Sequence, residues 1–371
     1  MSTKHWLLIL VLKNVYKSIM NKLFSERFKS ARVLNGFSLQ DLANALDNKI
    51  SRQALHKYEK GEVLPDSDMI NHLSKVFHVQ PDFFFRDTKI ELGDLEFRKL
   101  TKLSVKEQCR IIESTKDVLS RHLELEEILG IETAFENPLK NIPTISSFEN
   151  IETSVLKLRE SWNLGIDTIY NTIELLEDNH IRVISVNSED SFDGMQTWLN
   201  KTIPVIVINR SNLKSADRIR FTVLHELGHL LLPLGDLPNN IKEKYCNQFA
   251  AAMLIPKLAI QKELGISRKK LFIQELGKLK KQYGISIQAL IYRCKDLNII
   301  SATQCNQLVF IIAQNDWKII EPIQFKGLEE SNRFTQLLFR ALAEELISMN
   351  KAAVLSNQSL IDFRKQITMI Q

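Results

Sequence analysis

The sequence predicts a mainly α chain with a small β component, an α+β molecule in which an all-α segment precedes a segment that mixes helices and strands. Three observations carry this. Apolar residues recur three and four apart over most of the chain, as amphipathic helices require. Only short β-branched runs interrupt that spacing, at residues 180–186, 203–208 and 308–312. Ser, Gly and Pro stand at the ends of the helical runs, where caps and breakers belong.

Composition bounds the rest. The 371 residues hold 49 Lys+Arg against 44 Asp+Glu, a formal net charge of +5, with 44% hydrophobic residues, 12 Gly, 9 Pro and 4 Cys. These values exclude collagen-like, disordered and disulfide-stapled classes. They also give no basic field dense enough to mark a nucleic-acid binder by charge alone. At about 150 residues per domain, the length accommodates two or three domains. Cys109, Cys246, Cys294 and Cys305 are scattered without a CxxC pair, which points to a reducing, cytoplasmic setting and away from a cysteine-only zinc cluster. The apolar run 6–12, between Lys4 and Lys13, is too short to span a bilayer, and no small-residue cleavage site follows it, so no membrane partner is expected. Residues 1–19 are a leader, read either as an upstream start misassigned ahead of Met20 or as an amphipathic segment docked on the body.

Residues 20–87 read as an all-α helix-turn-helix domain. Phe24, Phe28, Ala31 and Leu34 keep helical spacing up to Gly36. Ser38 with Asp41 is an N-cap signature, and Leu39, Leu42, Ala43 and Leu46 give the next helix its stripe. Asp47, Asn48 and Lys49 form a turn, and Ser51 caps a third helix over 52–60 that ends at Gly61. Small Ala43 sits where the two short helices would cross. Ile70, Leu73, Val76 and Phe77, then residues 83–85, close the core.

Residues 88–150 read as a charged helical connector, 151–297 as the domain that carries the chemistry, and 298–371 as a mainly helical C-terminal region with a strand at 308–312. Within the middle domain the pattern predicts helices over 151–177, strands at 180–186 and 203–208, a helix over 216–232 broken by Pro233, and a helix over 241–254 ended by Pro256.

His225-Glu226-Leu227-Gly228-His229 is the sharpest motif. Helical residues four apart share a face, so both imidazoles can reach one metal ion while Glu226 approaches the attacking water as general base. The motif lies inside an apolar helix, where uncompensated His and Glu are costly to bury. A catalytic Zn2+ needs a third protein ligand. Glu243, on the next helix, is the choice, with Asn247 one turn later bracing a ligand; Asp236 and Cys246 are rivals.

The blocks Asp193-Gly194, Pro204 to Asn209, Arg218 to Thr222, the HELGH motif, and Asn247 to Pro256 together resemble the ImmA/IrrE family of metallo-endopeptidases. The resemblance implies a zincin-like fold and makes Glu243, three residues before Cys246, the carboxylate that completes the metal site. Cys246 departs from the family's usual Ala. Residues 20–87 similarly resemble the Cro/cI-like (XRE) helix-turn-helix domain through Arg32, Gly36-Phe37-Ser38, Leu42-Ala43, Ile50-Ser51, Tyr58-Glu59-x-Gly61 and Pro65. That likeness implies an Arg32–Glu59 ion pair. Leu39 departs from it, standing where many members carry a phosphate-gripping Gln.

In a helix-turn-helix the start of the second helix enters the major groove of an operator in double-stranded DNA. Arg52, Gln53 and His56 hold the base-reading positions, and Ser51 and Lys57 those that reach phosphates. Ten Lys and Arg stand against nine Asp and Glu in residues 20–87, so binding is expected to rely on local placement and on a homodimer. The whole reading is a transcriptional regulator with zinc-dependent endopeptidase activity toward a repressor or other regulatory protein. The alternative is a DNA-binding regulator or antitoxin whose zinc site is structural or sensory.

Overall fold

A computed structural model describes residues 3–86, 90–93, 103–188, 192–318 and 320–368, with side chains from residue 15 to 367. The described residues fall into two compact units, one drawn from Met1–Ile90, Lys102–Glu132 and Phe334–Gln371, the other from Glu91–Thr101 and Thr133–Arg333. These boundaries cut across the expected linear division. The connector 88–150 is shared between the units, and so is the C-terminal region 298–371.

The first unit opens with α1 (Thr3–Leu34). One helix runs through Met20 without a break. Val15, Tyr16 and Ile19 on it are exposed. Helices α2 (Leu39–Ala45), α3 (Arg52–Glu59) and α4 (Ser67–Phe77) follow. Ser38 and Asp41 form a full capping box on α2, Ser51 caps α3 and Asp66 caps α4. Each cap gives orphan amides a partner, which is why these helices start where they do. Asp47 and Asn48 take left-handed backbone between α2 and α3. Phe24, Phe28, Leu42, Ala43, Leu55, Leu73, Phe77 and Phe84 pack into one core.

A helix capped by Ser104, α5 (Val105–Ile128), belongs to this unit. Arg27 on α1 pairs with its Asp117 at 3.1 Å. Its Leu125 joins the core of α14 (Arg333–Ala343), α15 (Met349–Leu355) and α16 (Leu360–Thr368).

The second unit starts with α6 (Phe148–Ser161) and α7 (Thr172–Asp178). A three-stranded sheet of order β1-β3-β2 comes next: β1 (Arg182–Val186) runs parallel to β3 (Ile203–Asn209), and β2 (Gly194–Leu199) antiparallel to it. Central β3 is buried at every position, matching its unbroken β-branched run. Edge strand β2 was not expected from the sequence. A further short pairing lies on its outer side, where Gly93 N donates to Trp198 O at 2.7 Å and Asn200 N to Glu91 O at 2.8 Å.

Helices α8 (Ala216–Leu231) and α9 (Asn239–Leu254) form an antiparallel pair next to the sheet. Helices α10 (Lys257–Leu264), α11 (Ile273–Tyr283), α12 (Ile287–Asp296) and α13 (Ala302–Gln314) complete the unit. The strand expected at 308–312 is instead part of α13. A capping box between Ser301 and Gln304 starts that helix, and a short apolar run inside a capped segment is read equally well by either period.

Buried ion pairs tie later chain to α8. Arg220 is paired with Glu329, and Lys280 donates to Asp217 at 2.9 Å and to Glu321 at 2.7 Å. Burial draws the Arg220 guanidinium below its ordinary pKa, and Glu329 opposes that.

Candidate metal centre

The metal-site geometry follows from how closely α8 and α9 approach. Gly228 permits the approach: a Cβ there would lie 3.2 Å from Phe249 Cδ1 and 3.3 Å from both Cys246 Cα and Sγ. Cys246 is fully buried at this crossing, so it packs as a small hydrophobe and is not among the clustered donors. Asp236 is exposed in the turn between the helices and is not among them either.

His225, His229 and Glu243 do come together, their potential ligand atoms all within 4.8 Å of one another. His225 Nε2 lies 3.1 Å from Glu243 Oε2, His229 Nε2 lies 3.4 Å from Glu243 Oε1, and the two Nε2 atoms are 3.2 Å apart. Tetrahedral coordination at zinc–nitrogen and zinc–oxygen distances near 2 Å puts neighbouring donors about 3.3 Å apart. The donor set, two imidazoles and a carboxylate, and its spacing therefore fit zinc. Asn247 Oδ1 stands 2.9 Å from His225 Nδ1. An amide oxygen there accepts the Nδ1 proton and leaves Nε2 with its lone pair toward the cluster.

Glu226 is 1% exposed and turns toward β2. Gly194, first residue of β2, makes room for it: a Cβ at 194 would meet Thr222 Cγ2 at 2.7 Å, Glu226 Cγ at 3.2 Å and Glu226 Oε1 at 3.4 Å. In the sequence Gly194 stands out only as part of the Asp193-Gly194 block. Its signal was a glycine opening a strand, which often marks a close approach of another group to backbone.

In the first unit, Ser51, Arg52, Gln53, His56 and Lys57 are all exposed at the start and outer side of α3, while Leu55 is buried. Ser51 Oγ accepts from Ala54 N at 3.2 Å. Arg32 Nε donates to Glu59 Oε1 at 2.6 Å, and its Nη1 to Phe37 O at 2.6 Å. That fork ties α1 to α3 and fixes the angle at which α3 is presented.

Residues 28–84 match the helix-turn-helix family model, and residues 176–295 match the Peptidase_M78 model, described as the IrrE N-terminal-like domain. The chain carries one domain of each family. The IrrE N-terminal-like match contains β1 to β3 and the whole donor cluster, and the helix-turn-helix match contains α2 to α4. One curated relative is the SPbeta prophage-derived uncharacterized HTH-type transcriptional regulator YonR of Bacillus subtilis (strain 168), 38% identical over 66 residues, which are 18% of this chain. The match spans 59% of that relative's length. No solved structure matches the chain. Among the described residues, no helix is long and apolar enough to cross a membrane.

Proposed function

We propose that the chain is a cytoplasmic transcriptional regulator that binds an operator in double-stranded DNA through α3 and cleaves a repressor or other regulatory protein with its IrrE N-terminal-like domain. The observation that carries the peptidase reading is the donor triangle of His225, His229 and Glu243 with Glu226 beside it, one turn of the same helix supplying three of the four groups. Zinc held there supplies Lewis acidity toward the peptide carbonyl and makes the attacking water acidic at neutral pH.

The protein's own groups do the rest. Glu226 accepts the water's proton and passes it to the leaving amine nitrogen. Asn247 holds His225 in the tautomer and orientation the site needs. Outward backbone groups of β2 alternate with those paired to β3. Trp198 O and Asn200 N point outward, so the same alternation turns the amides and carbonyls of Gly194 and Gln196 to the same side of β2.

In α3, Arg52, Gln53 and His56 read bases, while Ser51 and Lys57 hold phosphates. The near-neutral charge of this domain is offset by the pairing of two copies on a two-fold operator.

The test compares Glu226→Gln with wild type in the native host by mapping new protein N-termini, after zinc contents are shown to be equal. The amide keeps the carboxylate's shape but cannot take the proton. Fragments of a regulator that vanish in the variant establish the peptidase and name its substrate. Unchanged fragments and unchanged target-gene expression sink the peptidase reading and leave a DNA-binding regulator with a structural or sensory metal site.

A further inference from the structure

A cavity of about 340 Å³ opens beside the metal centre, between the start of α8, the middle of α9 and α12, with Asp193 at the entry to β2. Phe221 and Thr222 line it from α8, each one helical turn before His225 and Glu226. Asn247 and Ala251 line it from α9, one and two turns beyond Glu243. One turn is a rise of about 5.4 Å, and an extended peptide advances about 3.3 Å per residue. A peptide whose scissile bond sits at the donor cluster thus brings the side chain one or two residues away to this opening.

The cavity's walls say which side chain it takes. Phe221, Ala251, Ala289 and Tyr292 give it an apolar lining. Most charged groups around it are already engaged: Arg293 holds Glu152 through both Nη atoms, Asp217 holds Lys280, and half-exposed Arg218 stands 3.9 Å from Asp193 at the rim. Gln248 is different. It is 7% exposed, its Nε2 donates to Asp296 Oδ2 at 3.3 Å, and its Oε1 is buried with no hydrogen-bond partner among the described residues. A buried acceptor left unpaired costs free energy that a donor entering the site recovers. Asp296 adds a carboxylate beside it, whose Oδ1 lies 3.7 Å from Lys295 Nζ. Two acceptors in a cavity walled in part by apolar side chains suit a long apolar stem that ends in a cationic N–H donor.

We propose that this cavity is the specificity pocket of the peptidase domain and selects a lysine or arginine of the substrate one or two residues from the scissile bond, with Gln248 and Asp296 reading its charged end. The inference rests on the peptidase reading of the neighbouring centre and extends it to substrate choice. Gln248 and Asp296 are specificity residues and take no part in bond cleavage.

The test uses the full-length, zinc-loaded protein with two probes, N-acetyl-arginine methylamide and N-acetyl-leucine methylamide, their binding read from broadening of the probes' own NMR lines. The arginine probe is expected to bind at least about tenfold more tightly, as one buried hydrogen-bonding partner typically discriminates. Gln248→Met keeps the length and removes the acceptor, so the discrimination should collapse with an unchanged melting temperature; Asp296→Asn checks the same effect without touching α9. Equal binding of both probes, or discrimination that survives in both variants, overturns the proposal. Wild-type protein is then given a mixture of peptides of defined sequence, and basic residues should be enriched at a single position beside the cut. Selective probe binding with no cleavage of any peptide overturns the peptidase reading and with it the substrate role, leaving a receptor site for a basic residue. Cleavage with no basic preference overturns the pocket alone.

Discussion

At the scale of single residues, two glycines stand where elements pack closely around the metal centre. Gly228 lets α9 close on α8, and Gly194 lets β2 lie against Glu226. The tighter of the two is Gly194, where a Cβ would stand 2.7 Å from the Thr222 methyl and 3.2 Å from Glu226 Cγ. Gly194→Ala is expected to cost about 1–3 kcal/mol of stability by overpacking. It should lower peptidase turnover more than zinc affinity, since the contact falls on Glu226 and none of the three donors is among its nearest neighbours. Thermal unfolding, zinc titration and turnover measured on one preparation check this, and a variant that loses zinc and activity in equal proportion contradicts it. The two histidines were legible as a pair because the four-residue spacing has one face on a helix. Gly194 was not, because a need for empty space next to a strand leaves no pattern except the glycine itself.

Between elements, the α8–α9 pair is the unit that matters. His225 and His229 come from one helix and Glu243 and Asn247 from the other, so the donors meet only when the helices pack in register. Asn247→Ala removes the oxygen that faces His225 Nδ1, and zinc affinity is expected to fall about 10–100-fold. Competition with a chromophoric chelator measures it; an unchanged affinity means the amide does not set the imidazole's orientation. Caps made the helices of the first unit readable: Ser38, Asp41, Ser51 and Gly61 are local signals, and the chain obeys them locally. The strands were harder. Buried β3 announces itself by its β-branched run, whereas β2, with Gly194, Gln196 and Thr197, does not. The apolar residues 308–312 read as a strand for want of their context, since the capping box that starts α13 lies seven residues upstream.

At the scale of the whole molecule, chain order and compact unit do not coincide. The IrrE N-terminal-like match ends at residue 295, yet Glu321 and Glu329, which pair with Lys280 and Arg220, lie beyond it. A fragment of residues 133–295 leaves the buried Arg220 without its carboxylate, a loss of about 3–5 kcal/mol. For a fragment of this size that is a fall in Tm on the order of 10 °C relative to residues 133–333. Differential scanning calorimetry of the two fragments reads the difference, and equal melting temperatures contradict the role given to Glu329. No motif in the sequence advertised this pairing, because a single Glu at a separation of 109 residues carries no spacing that a local reading can use.

The same pair has a meaning in time. During synthesis, Arg220 emerges 109 residues ahead of Glu329, an interval of roughly 5–20 s at ordinary elongation rates. Through that interval the HELGH segment has been synthesised while the carboxylate that anchors its helix has not. A ribosome-bound chain thus carries the motif before the carboxylate that pairs with Arg220 has been made.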